Sequence, residues 1–142
     1  MKRFGWMLVP CVALLGCGGG VGNFVGTWSV VSGSQTLTCG TQTVTGTPTG
    51  NNTIVEGTDS DIVLTDADGC NQKFNVNGSI ATLVPGQTCP LGTTGINASL
   101  TTGTIALGSD NKSFTLTETM NASDSTGSCT INITAASTKV GG

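Results

Sequence analysis

Apolar and polar residues alternate along most of the chain after residue 24. In residues 113–120, Phe114, Leu116 and Met120 share one face with Glu118, while serine and threonine occupy the other face. A period of two is typical of a β-strand with one buried face and one face in solvent. The pattern therefore predicts a sheet with an apolar inner face, and it places one carboxylate on that face.

Turn-forming residues divide this pattern into short strands. Asn77-Gly78 is the strongest hairpin signal, and Ser32-Gly33 is a second predicted two-residue turn. The parity of the apolar positions changes at Gly40, which indicates a β-bulge or a break between two strands. The longest irregular loop is expected over residues 85–97. The predicted strands cover residues 27–31, 35–47, 53–56, 62–65, 72–76, 79–84, 104–107, 113–120 and 129–134.

These elements predict an all-β fold, an antiparallel meander of about eight or nine strands. Threonine, valine, glycine and asparagine are abundant, and residues that favour helices are scarce after residue 17. Such a meander either closes into a barrel or packs as a β-sandwich. We favour a small barrel, because pairing of sequence-adjacent strands runs nearly the whole length, and the sandwich is the alternative.

The first residues have the three parts of an export signal. Lys2 and Arg3 are followed by a mostly apolar run over residues 4–15, and small residues then surround Cys17. The apolar run is shorter than the roughly 20 residues of a membrane-spanning helix. The order Leu14-Leu15-Gly16-Cys17 resembles the lipobox of bacterial membrane lipoproteins. An ordinary secretory signal is the alternative.

The lipobox resemblance implies a domain organisation and a location. Residues 1–16 would be a signal peptide, and 17–23 a lipidated Cys17 with a glycine-rich tether. Residues 24–138 would form the β domain, and 139–142 a loose C-terminus. Acyl chains such as palmitate on Cys17 would attach the protein to the lipid bilayer. Gly18 after the cysteine favours the outer membrane of the cell envelope over the inner one.

The charge of the exported chain excludes some partners. Residues 17–142 carry three lysines and eight carboxylates, a formal net charge of −5. A chain this acidic has no basic stripe for nucleic acid and no basic patch for anionic lipid. The remaining partners are a small apolar ligand or another surface protein, with the bilayer contacted through Cys17 alone.

Four cysteines follow Cys17 in the sequence: Cys39, Cys70, Cys89 and Cys129. An even number in an exported chain predicts two disulfides. Their spacing contains no close pair of the kind that binds zinc. We expect Cys39–Cys70 and Cys89–Cys129, among three connectivities that the sequence leaves open.

The start of the β domain resembles a second family. Phe24-Val25-Gly26-Thr27-Trp28 is similar to the Gly-x-Trp of the first strand in lipocalin-like barrels. The resemblance implies that Trp28 is a core residue at the closed base of a barrel, where an arginine from a late strand often packs on it. Residues 17–142 contain no arginine.

The sequence offers little for catalysis or metal binding. It contains no histidine, so the usual general base near neutral pH is missing, and no cofactor is expected. Glu118 would have a raised pKa if it were truly buried, but we favour a position near a strand end or at the barrel mouth. Asp66 and Asp68 begin like a calcium loop, yet Asp-x-Asp-Gly is also a good hairpin turn, which we favour.

The sequence supports three functional hypotheses. The favoured one is a non-enzymatic lipoprotein whose β domain has a binding or surface-structural role. The alternative is a lipocalin-like carrier of a small apolar ligand, which needs a cavity of about 300 Å³ or more. The third is a carboxylate-based hydrolase, which needs a second acid beside Glu118. The residues that would line a ligand cavity are Phe74, Leu116, Met120 and Glu118.

Overall fold

The computed structural model describes residues 20–91 and 95–141, and in them the chain is almost entirely β-structure. A single turn of helix precedes ten strands. The elements are α1 (Val21–Phe24), β1 (Gly26–Cys39), β2 (Gln42–Gly46), β3 (Asn51–Glu56), β4 (Ile62–Thr65), β5 (Asn71–Asn77), β6 (Ile80–Leu83), β7 (Thr88–Pro90), β8 (Asn97–Leu107), β9 (Ser113–Asp124) and β10 (Gly127–Val140).

Eight of these strands form a closed antiparallel barrel. Their order is β1-β3-β4-β5-β6-β8-β9-β10, and β10 pairs back onto β1. The two other strands lie outside the ring, with β2 paired to β1 and β7 paired to β8. The predicted all-β barrel is therefore confirmed, and the sandwich alternative is wrong because the sheet closes on itself.

The alternation seen in the sequence decides which side chains fill the barrel. In β9, Phe114, Leu116, Glu118, Met120 and Ala122 are all buried, and the residues between them are exposed or only partly buried. The predicted hairpin between β5 and β6 is confirmed, but its turn is one residue later than predicted, at Gly78-Ser79, because Asn77 still pairs with Ile80; Gly78 has φ +62°. This turn needs a glycine, because a side chain disfavours positive φ.

The first and last strands are longer than the rest of the barrel. The prediction of a turn at Ser32-Gly33 is wrong, because β1 continues through it and pairs with β10 as far as Cys39. The register shifts by a bulge between Val30 and Ser32, and a Cβ on Gly33 would overlap the Thr134 carbonyl oxygen. A glycine thus allows the close approach of β10, where the sequence suggested a reversal. The predicted break at Gly40 is confirmed as the turn between β1 and β2.

One end of the barrel, called the base here, is closed by aromatic side chains. Trp28 is fully buried, and its Nε1–H donates to the carbonyl oxygen of Phe24 at 2.8 Å. Its ring lies 4.8 Å from that of Phe114, between ring centroids. The Lys139 Nζ lies 5.2 Å from the Trp28 ring centroid, so a lysine of the last strand packs there in place of the expected arginine. Trp28 is therefore a core residue of the base, as predicted.

The disulfides join different pairs from those expected. Cys39 bonds to Cys129, and Cys70 bonds to Cys89. The prediction failed because it ended the first strand at residue 31. With β1 extended, Cys39 lies directly opposite Cys129 in the β1–β10 register, with their Cα atoms 4.3 Å apart. Cys89 lies in β7, inside the segment expected to be irregular.

Two predicted boundaries also change. Lys139 and Val140 belong to β10, because they pair with Trp28 and Thr27, so the chain end is not loose there. The end of the predicted tether is helical from Val21. The signal peptide and Cys17 lie outside the described residues. Within the described part, no helix is both long and apolar enough to cross a membrane.

The two disulfides are expected to stabilise the fold unequally. The Cys39–Cys129 bond spans 90 residues and the Cys70–Cys89 bond spans 19. Because a longer loop loses more entropy when it is closed, replacing the first pair by alanines should cost about 4 to 5 kcal/mol of unfolding free energy, and replacing the second about 3 kcal/mol. Denaturant titration of the two double variants measures this. Peptides linked as 39–70 and 89–129 in a non-reducing digest would contradict the connectivity.

Candidate functional site

Three buried polar side chains lie around one space in the barrel interior. Asn52 of β3, Gln72 of β5 and Glu118 of β9 are all buried. Each stands two residues from a buried apolar residue on its own strand, so strand parity turns it inward. Three strands thus direct hydrogen-bonding groups into one space of the core, whereas the fourth buried polar residue, Ser137 of β10, does not line that space.

Glu118 is buried in the middle of its strand, with 2 % of its surface exposed. Its register partners are Gly103 on β8 and Ile133 on β10. A Cβ on Gly103 would lie 3.5 Å from the Glu118 Cγ and 3.1 Å from the Leu83 Cβ, so the glycine leaves room for both side chains. Of the two expected positions for Glu118, the one near a strand end is wrong, because β9 continues to Asp124. The other, at the barrel mouth, agrees with the cavity that Glu118 lines.

Burial changes the ionisation of this carboxyl group. Loss of solvation raises the pKa of Glu118 from 4.5 to about 7, the negative charge of Asp66 adds to the rise, and a hydrogen bond from Gln72 partly opposes it. A carboxylic acid held near neutrality can exist in both protonation states at physiological pH. The charge of Glu118 therefore depends on the groups that lie beside it.

A cavity of about 230 Å³ adjoins Glu118 at the end of the barrel opposite the base, called the mouth here. Its floor is made of interior side chains, and its rim comes from the loop before β3 and the turn between β4 and β5. The residues that line it are Val30, Gln35, Thr47, Pro48, Thr49, Asn52, Asp66, Ala67, Asp68, Gln72, Leu116, Glu118, Ile133 and Ala135. None of these described residues is a lysine or an arginine.

Two buried oxygen atoms at this cavity lack a protein partner. The Oε1 atoms of Gln72 and Glu118 accept no hydrogen bond from the described residues. A buried acceptor without a partner costs about 1 to 3 kcal/mol. Both atoms line the cavity, so a molecule that enters it and carries hydrogen-bond donors could satisfy them.

The Asp66–Gly69 segment forms a turn, as favoured from the sequence. The Oδ1 of Asp66 accepts the backbone N–H groups of Asp68 at 3.0 Å and Cys70 at 2.9 Å. Burial raises the pKa of Asp66, although these backbone bonds oppose the rise. The described residues contain no cluster of three or more potential metal ligands, so the calcium alternative at Asp66 and Asp68 gains no support.

The rim of the mouth is fixed by two links between β5 and the segment before β7. The side chain of Gln87 accepts the N–H of Lys73 at 2.7 Å and donates to the carbonyl oxygens of Lys73 and Val84 at 2.8 and 2.7 Å. The Cys70–Cys89 bond ties the same two segments a few residues away. These links add to the regular pairing of β5 with β4 and β6 in holding the side of the rim that carries Gln72.

A second, larger cavity of about 580 Å³ lies beyond the mouth, beside the Cys39–Cys129 disulfide. It is bordered by the extensions of β1, β9 and β10 that project past the barrel. Its apolar lining includes Leu37, Leu91, Ile96 and Ala122. This volume exceeds the size that the carrier hypothesis requires.

The predicted cavity residues divide into two groups. Leu116 and Glu118 line the smaller cavity, whereas Phe74 and Met120 are buried core residues that line neither of the two. Asn52, Gln72 and Asp66 were not predicted as members of a common site. The first two could have been found from parity alone, since they alternate with the apolar residues Ile54 and Phe74.

The fold and its two disulfides define a small disulfide-linked β-barrel domain. No protein-family model, curated protein or solved structure matches the chain. Its function therefore has to be argued from the cavities and from the sequence features that precede the barrel.

The buried carboxyl group should make the stability of the protein depend on pH. The pKa of Glu118 is about 7 in the folded protein, against 4.5 without burial, so folding takes up a proton between these values. The free energy of unfolding should then fall as pH rises from 4.5 to 7, by about 3 kcal/mol in all. Glu118→Gln should remove this slope, and so stabilise the protein at pH 8 but hardly at pH 4.

Denaturant titrations of wild type and variant between pH 4 and pH 8 measure the effect. Glu56→Gln is the matched control, because Glu56 is exposed at the end of β3 and does not line the cavity. It should leave the slope of the wild type unchanged. Parallel pH profiles for wild type and Glu118→Gln would show that folding does not raise the pKa of Glu118, contrary to this account.

Proposed function

We propose that the chain is a membrane-anchored lipoprotein whose β-barrel is a non-enzymatic binding module for a small ligand. The observation that carries the proposal is the cavity at the mouth, where Gln72 and Glu118 present buried acceptors that the protein leaves without partners. Natural interiors rarely keep such groups unless water or a ligand satisfies them. The anchor is proposed from the lipobox-like sequence that ends at Cys17.

The chemistry of the cavity favours binding over catalysis. Asp66 and Glu118 do line one space, which the hydrolase hypothesis required. However, one oxygen of Asp66 already accepts two backbone N–H groups of its own turn. No described lining residue offers a cationic group to stabilise a developing negative charge, and the cysteines of the barrel are joined in disulfides. We therefore keep the non-enzymatic hypothesis.

A carrier role for a small apolar ligand is a second candidate, favoured by the 580 Å³ cavity beside Cys39–Cys129. The neutral dye N-phenyl-1-naphthylamine should bind there with increased fluorescence. Ala122→Phe should reduce that increase several-fold, because Ala122 faces the cavity. Asn121→Phe is the matched control, since Asn121 is exposed on the opposite face of β9. Equal losses in the two variants would argue against the carrier role.

The anchor can be tested by the intact mass of the protein extracted from membranes. If Cys17 is lipidated, the mass should correspond to residues 17–142 plus acyl chains. Cys17→Ala should abolish both this modification and retention in the membrane fraction. Cys11→Ala is the matched control and should change neither. An unmodified protein found in the soluble fraction would refute the anchor and leave a secreted binding domain.

A further inference from the structure

We propose that the cavity at the mouth binds a small organic cation through an ammonium group, held by Glu118, Gln72 and Asp66. This inference rests on the proposed binding function and names the class of ligand. It goes beyond the apolar ligand that the fold resemblance led us to expect.

The first argument comes from the type of atoms that lack partners. The Oε1 atoms of Glu118 and Gln72 are both acceptors when Glu118 is ionised. An ammonium group offers three N–H donors and no acceptor, so it can satisfy both atoms at once. A carboxylate or phosphate ligand could not, because it would bring further acceptors to the same place.

The second argument is charge. Glu118, Asp66 and Asp68 all line the cavity, and the described lining contains no positive group. Two lysines of the barrel strands are engaged elsewhere: Lys73 Nζ lies 2.6 Å from an Asp59 carboxylate oxygen at the surface, and Lys139 Nζ lies over the Trp28 ring at the base. An entering cation would therefore meet only negative charge, in surroundings where water screens it poorly.

The third argument is size and the nature of the remaining wall. A volume of about 230 Å³ is that of seven to eight water molecules at about 30 Å³ each, far more than a bare metal ion occupies. Val30, Leu116, Ile133 and Ala135 supply apolar surface beside the polar groups. The wall therefore suits a cation that carries a short hydrocarbon portion.

The pH dependence of binding follows from the same groups. Burial holds the pKa of Glu118 near 7, and the titratable groups that face it across the cavity are Asp66 and Asp68. A bound cation favours the ionised form, so binding should release a proton below pH 7. The affinity should fall about tenfold for each pH unit below 7 until this carboxyl group is protonated in both states.

The test is calorimetric titration of the detergent-solubilised full-length protein with n-butylammonium, with butyrate and CaCl₂ as comparison ligands. At pH 8, butylammonium should bind saturably and butyrate should not. Glu118→Gln should weaken the binding at least tenfold, while Glu56→Gln should leave it unchanged. Asp66→Asn should weaken the binding by a smaller factor than Glu118→Gln. The variant loses the negative charge of Asp66, but its amide oxygen can still accept the backbone N–H groups that hold the turn.

The outcomes separate this inference from the function on which it rests. Preference for butyrate, tighter binding of Ca²⁺ at the same site, or an affinity that does not respond to Glu118→Gln would overturn the ammonium site. If butylammonium fails but the apolar dye binds, the inference is wrong and the binding module stands. If no probe binds in either cavity, the proposed binding function itself fails.

Discussion

The pairing of β1 with β10 is the interaction on which the rest of the barrel depends. It joins the two ends of the described chain over twelve register pairs, from Thr27 opposite Val140 to Cys39 opposite Cys129. It removes two free sheet edges, brings Lys139 over Trp28 and sets the positions of Cys39 and Cys129. Because these contacts have the greatest sequence separation in the fold, they carry the largest loop-closure cost.

Closure also creates an interior whose two halves differ in chemistry. Toward the base, Phe24, Trp28 and Phe114 fill most of the space, and the one polar atom of Trp28 is satisfied by a backbone carbonyl. Ser137, opposite Phe114, is the buried polar residue of this half. Toward the mouth, Gln72 and Glu118 take inward-facing positions where apolar residues would be expected, and Asn52, opposite Trp28, borders the same cavity. The apolar half supplies the stability that lets the other half retain groups costly to bury.

Local patterns in the sequence predicted the fold class but not the long-range pairing. Alternation identified the inner face of β9, and Asn77-Gly78 identified a hairpin, because both signals act between residues close in sequence. The role of Gly33 depends on the approach of Thr134, about a hundred residues away, so the same glycine was interpreted as a turn. The predicted disulfide pairing was wrong for the same reason, because the position of Cys39 depends on β1 continuing through Gly33. Alternation placed Glu118 on the correct face of β9, but its burial depends on how far β9 extends beyond it.

The end of the barrel at which the chain enters determines how a lipid anchor on Cys17 would orient the barrel relative to a bilayer. Three residues separate Cys17 from Val21, where α1 begins at the base beside Trp28. Even fully extended, this segment spans only about 14 Å between the two Cα atoms. A lipid on Cys17 would therefore keep the sealed base near the bilayer and turn the mouth toward the aqueous compartment. Ligands would then exchange with the surrounding water, where a small cation dissolves readily, and not with the lipid phase beneath the barrel.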